Sequence, residues 1–485
     1  MKNGKFFKSV AVITLGGLFA KGIGALYRFP LVGLLGGYGM GLYQMAYPFF
    51  CVLLTFSSAG IPAAFSRVIA KETALGHENG DTVKVALKLF ALLGLCCGAI
   101  MCLFGPYMGR LQGDENLYRC YLALAPSVFF VALIAVLRGY FQGKNNMFPT
   151  AASELVEQAV KASLGLLFAY RFAAEPAKAV AYALFAVTLS EGCALIYLLV
   201  RYRRERRVKY LRVVRPSGGD IFHAAFPVMV SSALLPASQL VDSVMVVRLL
   251  SRYTTRAVAL YGLFTGGAVA LINLPATLCY GFAAASVPSV SSAFARGEEG
   301  EGRRRALFSL FLTLLFALPC AVGLFAFARP VVHLLYPSLS QEDADLLVWL
   351  VRLLAVSAAT LASVDTLAAC LTGMGRAKYA ALSMLVAVIV KFALQFVLVS
   401  NPALSVGGAA IASNVCYLVA FSLDLFYTVK KKAGRKKRDH DRKFGNGERR
   451  SDGTRAECNQ ECGQSACAKR LSALGAKFKR RGDPL

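Results

Sequence analysis

The sequence predicts an all-α polytopic membrane protein of about twelve transmembrane helices in two six-helix lobes. Three observations predict it: an apolar composition, basic residues gathered at alternate loops, and an internal repeat that halves the chain. Of 485 residues, 56% are hydrophobic and 17% are charged, against about a quarter charged in soluble proteins. Stretches such as Ala91 to Met108, Leu307 to Phe327 and Leu382 to Val399 are long enough to cross about 30 Å of hydrocarbon as helices. Only helices and closed barrels satisfy their backbones there. These runs are continuous, without the alternating polarity of barrel strands.

Breaking the apolar runs at Gly, Pro and charge clusters places spans near residues 6 to 35, 41 to 68, 83 to 109, 119 to 142, 149 to 172 and 178 to 201. A second set follows at 220 to 250, 257 to 292, 304 to 328, 344 to 372, 376 to 399 and 406 to 429. The expected organisation is a lobe over 1–202, a basic linker over 203–219, a second lobe over 220–430 and a basic tail over 431–485. The run from Lys2 past Lys21 and Arg28 to Leu35 has no small-residue cleavage site and reads as a retained first helix, not a signal peptide.

The net charge of +27 sits largely in Arg201 to Arg215 and beyond Thr428. Basic loops beside transmembrane ends are a topology signal and attract anionic headgroups, so the pattern argues for anionic lipid as a partner and against nucleic acid. Arg67 with Lys71, Lys144, Arg296, Arg303 to Arg305 and Arg376 fall on the side of the amino terminus. That side is expected to be the cytoplasm, with both termini in it. Arg252 and Arg256 are the exceptions.

The repeat is carried by Gly143 to Lys161, GKNNMFPTAASELVEQAVK, which aligns with Gly373 to Lys391, GMGRAKYAALSMLVAVIVK. Pro48 and Pro62 likewise correspond to Pro275 and Pro288. Both halves start on the same side, so the repeats are parallel, and a binding site is expected between them.

Ionisable residues inside hydrocarbon are functional candidates by default. Lys21 and Arg28 are two turns apart on one helical face; the alternative for Arg28 is snorkelling to the interface. Glu154, Glu157 and Lys161 fall within about 60° of one another on the fifth span, where a self-neutralising Glu157 to Lys161 pair is the alternative. Asp242, Asp365 and Lys391 add charge in the second half, as do Arg67 and Arg138 in the first; for these two arginines a positive-inside anchor is the competing reading. Lys21, Arg28, Arg138 and Lys161 suit an anionic phosphate or pyrophosphate group. Glu154, Glu157, Asp242 and Asp365 could bind a coupling proton or sodium ion or balance the cations, while Arg67 and Lys391 are further cavity candidates. No Walker loop, nucleophile elbow or histidine cluster points to an enzyme. Cys458, Cys462 and Cys467 lack a suitably spaced histidine for zinc, the remaining cysteines imply no disulfide framework, and no cofactor is expected.

The stretches ALYRFPLVGLLGGYGMGLYQMAYPFF (Ala25 to Phe50), SSAGIPAAFSRVIAKE (Ser57 to Glu72) and LRGYFQGKNNMFPTAASELVEQAVK (Leu137 to Lys161) resemble the stage V sporulation protein B group. That group is a polysaccharide-biosynthesis branch of the multidrug/oligosaccharidyl-lipid/polysaccharide flippase superfamily, and it is related to lipid II flippases. The resemblance covers residues 5 to 430 and is more specific in the first half. It implies a cavity alternating between faces, ion- or potential-driven transport, and an undecaprenyl-pyrophosphate-linked saccharide as substrate. Lys21 and Arg28 match first-helix positions implicated in holding the pyrophosphate. Members commonly have fourteen helices, the last two forming a lipid groove, whereas hydrophobicity here ends near Thr428. The expectation is then either twelve helices with a lipid-binding tail or an altered carboxyl terminus. A drug or organic-cation antiporter and a non-transporting scaffold docking wall or spore-cortex partners remain alternatives; oligomeric state is left open.

Overall fold

The computed structural model describes residues 2–74, 80–205 and 218–430. Most of the basic linker, and the tail over 431–485 with its three cysteines, therefore lie outside the described residues. Every regular element described is helical: α1 (Lys2–Ser58), α2 (Ile61–Ala74), α3 (Gly80–Gln112), α4 (Leu117–Gly143), α5 (Phe148–Arg171) and α6 (Pro176–Glu205) form one half. The other half holds α7 (Gly218–Leu250), α8 (Ala257–Gly262), a π-helical stretch (Leu263–Ala268), α9 (Val269–Ala295), α10 (Glu299–Ala326), α11 (Ala328–Leu335), α12 (Gln341–Gly373), α13 (Ala377–Val399) and α14 (Val406–Val429).

Helix α1 is two crossings. Gly36 adopts φ 64° and ψ −178°, a conformation only glycine takes without strain, and the chain doubles back there. Arg28 and Gln44, sixteen residues apart, consequently meet through a 3.4 Å hydrogen bond. Among the described residues, length and composition mark nine helices able to cross a membrane, with Gly22–Ser58 taken as one. Dividing it at Gly36, and adding α5 (24 residues) and α7 (33 residues), gives the twelve crossings expected. Three central charges keep α5 from standing out by hydropathy.

The halves repeat one packing scheme. Helix α3 packs on α4 as α10 packs on α12, and α1 on α5 as α7 on α13. Helix α6 lies on α4; correspondingly the Asn414 amide of α14 donates to the Leu353 carbonyl of α12 at 2.7 Å. The predicted register holds in detail: Ser153 and Ser383, equivalent in the aligned segments, are both fully buried.

The lobes touch through the end where α1 reverses. A Cβ on Gly262 would lie 2.3 Å from the Gly37 carbonyl and the Gly41 nitrogen, so two backbones meet where only hydrogen fits. The Phe29 ring meets Tyr336 edge-on, with centroids 6.0 Å apart. Buried Gln112 donates to Ser243 across the halves at 2.9 Å, and Arg248 donates to the Leu111 carbonyl at 2.7 Å. The same end carries Arg252 and Arg256, which depart from the basic-loop pattern. Arg256 is offset by Glu342 at 2.9 Å and by Asp343.

Candidate functional site

Between the lobes lies a cavity of about 290 Å³. The first half lines it with Arg28, Gln44 and Tyr47 from the two arms of α1, and the second with Asp242 (α7), Lys391 (α13) and Asn273 (α9), among others. Its position follows from the hairpin at Gly36, which turns Arg28 and Gln44 towards each other, and from α7 packing on α13.

The two walls carry different charge. On the second, Lys391 Nζ lies 2.9 Å from Asp242 Oδ1, and Gln395 donates to the same oxygen at 2.7 Å. This buried pair is internally neutral. On the first, Arg28 has Gln44 as its hydrogen-bond partner, and among the described residues no carboxylate pairs with it. Lys161, on the helix of the first half equivalent to α13, lies within electrostatic reach of Arg28. The lysine recurs between halves as the repeat predicts, but it pairs directly with an aspartate in one and lies in the field of Glu157, Glu191 and, more weakly, Arg28 in the other. Arg28 therefore gives the first wall a cation without a carboxylate partner among the described residues, suited to an anionic group.

A second cluster lies deeper in the first half. The Arg138 guanidinium pairs with Glu157 at 3.1 Å and donates to Ser153 at 3.0 Å. The pair is half-buried. Glu157 thus pairs directly with Arg138 of another helix while its charge also acts on Lys161 of its own, and Arg138 is held by α5, outside the lining of the central cavity. Glu191 of α6 is buried within electrostatic reach of Glu157, Arg138 and Lys161.

The other expected residues scatter. Glu154 points at the first arm of α1, with Oε2 3.9 Å from where a Cβ on Gly17 would lie. Asp365 is exposed on α12, within electrostatic reach of Tyr417, which lines the cavity. Arg67 is exposed on α2 and lines no part of the cavity. The side chain of Lys21 lies outside the described residues, although its backbone continues α1 two turns before Arg28.

Sequence reading passes over Glu191, Asp424 and Gln395. The first two are lone acids in otherwise apolar helices, a signal already present in the sequence. Asp424 is almost fully buried. Gln395 carries no such signal, because an uncharged amide is ordinary in an apolar run until its partner is known.

The model of a family described as polysaccharide biosynthesis protein matches residues 6–294. Among curated proteins, stage V sporulation protein B of Bacillus subtilis (strain 168) is 28% identical over 428 residues, covering 85% of this chain and 81% of its own. Lipid II flippase MurJ of the same organism is 23% identical over 464 residues, covering 89% and 84%. Among solved structures, the inward-facing conformation of a multidrug resistance MATE family transporter of the MOP superfamily superposes with a TM-score of 0.70 at 16% identity. It covers 83% of this chain and 92% of its own. That likeness concerns the fold.

Proposed function

Because the chain belongs to the polysaccharide biosynthesis protein family, we propose that it is a flippase that moves an undecaprenyl-pyrophosphate-linked precursor of the cell wall or of a polysaccharide across the cytoplasmic membrane. It works by alternating access of the cavity between its lobes. The observation that carries this reading is Arg28: a half-buried guanidinium on the cavity wall, within electrostatic reach of Lys161 and without a carboxylate partner among the described residues. Unpaired cations inside a membrane protein are expensive and mark a substrate path, and a pyrophosphate supplies the missing charge. The names of the relatives, one a lipid II flippase, agree with it. In this reading the basic ends of the helices face the cytoplasm with both termini, the basic loops and tail hold anionic lipid, and a proton or sodium ion drives the cycle. The glycine contact near Gly36 then closes the outer face.

The MATE-like fold raises a second reading, a cation-coupled exporter of organic cations. The cavity opposes it, because Asp242 is already neutralised by Lys391 and Arg28 repels a cationic drug. The deciding experiment compares Arg28→Gln with the wild type, reconstituted in lipid vesicles. Binding of an undecaprenyl-pyrophosphate-linked saccharide should weaken about 10- to 100-fold, the loss of a hydrogen bond to a charged group, while rescue of cells depleted of their own lipid II flippase is lost and membrane abundance is unchanged. Undiminished binding, or gradient-driven efflux of a cationic dye by the wild type, rejects the flippase reading.

A further inference from the structure

Glu191 is the one acid of the first-half cluster without a partner of its own. It sits near the middle of α6 and is 8% exposed. Among the described residues it makes no hydrogen bond and no ion pair, whereas its neighbour Glu157 takes both the Arg138 guanidinium and the Gln158 amide. The elements packed on α6 present a defined set of charges to it: Arg138 from α4, and Glu157 and Lys161 from α5. From α1, the charge of Arg28 acts on Lys161 in turn.

A buried carboxylate that accepts no hydrogen bond is costly while charged, and here it also faces a second carboxylate. Two glutamates and two cations are balanced only while both glutamates are ionised. Lys161 is then offset by Glu157 and Glu191, leaving Arg28 as the free cation of the wall. One proton on Glu191 leaves Glu157 to be shared between Arg138 and Lys161, so that one net positive charge is uncovered within reach of Arg28. A sodium ion would need a shell of several oxygens, and here Arg138 already occupies Glu157.

We propose that Glu191 is the proton-binding group of this transporter, and that its protonation releases Lys161 to join Arg28 in holding an anionic diphosphate headgroup. The proton comes from water in the cavity, adds to a carboxylate oxygen of Glu191 and returns to water when the headgroup leaves. Proton and anion therefore bind cooperatively, and by linkage each strengthens the other equally. The ligand half of this inference rests on the flippase reading; the proton half does not.

The test uses the full-length protein in nanodiscs of zwitterionic lipid, with a fluorescent farnesyl diphosphate as probe. Wild-type affinity should rise as pH falls, approaching tenfold per pH unit, the limiting slope for one linked proton. Glu191→Gln should bind tightly with that slope abolished, Glu191→Asp should keep the slope, and Lys161→Met should bind weakly at every pH. Difference infrared spectroscopy without probe reads the proton directly, as a protonated-carboxyl band that titrates in the wild type and is missing from Glu191→Gln. A slope or a titrating band that survives Glu191→Gln overturns the assignment. If the wild type binds no probe at any pH, the anion site and its link to Lys161 fall, and the infrared titration still decides whether Glu191 carries the proton.

Discussion

Replacing Lys391 with methionine is expected to cost about 3–5 kcal/mol of stability, the usual penalty for removing one partner of a buried ion pair. Lys391 and Asp242 are 19% and 11% exposed as side chains. Without the ammonium, Asp242 keeps one donor, the Gln395 amide, and stands as an unmatched charge between helices. The double variant Lys391→Met with Asp242→Asn should recover most of the loss, because two neutral side chains of similar size leave no buried charge behind. Unfolding by sodium dodecyl sulfate in mixed micelles measures both. A single variant that costs less than about 1 kcal/mol would place the pair among solvated surface bridges and deny it a part in joining α7 to α13. The single variant also puts a free carboxylate on the wall opposite Arg28, so anion binding should weaken with stability, while the double variant should recover both.

The second large effect is expected at the contact between lobes. Gly262→Val puts a branched side chain where a single Cβ already lies 2.3 Å from two backbone atoms of the first half. Backbone cannot yield as a side-chain tip can, so the lobes must separate at that end or the local fold must distort. Spin labels at Ala173→Cys and Arg252→Cys, exposed loop positions of opposite halves, report the separation in a cysteine-depleted background. The distance distribution should move to longer values in Gly262→Val, with helix content unchanged. An unmoved distribution with intact folding would show that this contact does not hold the two halves together.

Much of the architecture was legible in the sequence because it depends on local physics. Hydrocarbon demands about twenty apolar residues per helix, and the spans at 83 to 109, 119 to 142 and 376 to 399 needed nothing more. Duplication was equally readable, since Ser153 and Ser383, or Lys161 and Lys391, keep their spacing whatever surrounds them. Span one merging with span two through Gly36 was read as two runs, and the hairpin bears that out. The site was less legible. Glu157 and Lys161 share a helix face, and periodicity shows that pairing; what it does not show is that α4 also brings Arg138 within 3.1 Å of Glu157. Arg67 and Asp365 are as conspicuous in sequence as Arg28, yet both are exposed and neither is among the residues lining the cavity.

The sequence by itself determined that the chain crosses a membrane many times, that it is built twice, and which helices carry charge, because the cost of a polar group in hydrocarbon acts on each residue irrespective of its neighbours. Only the tertiary structure decided which charges cancel. Partnership is a property of separation and angle between helices: the same lysine of the repeat pairs directly with Asp242 in one half and shares the field of Glu157 and Glu191 in the other. With Arg28 left without a carboxylate among the described residues, those pairings, not the charge list, set the charge of the cavity wall.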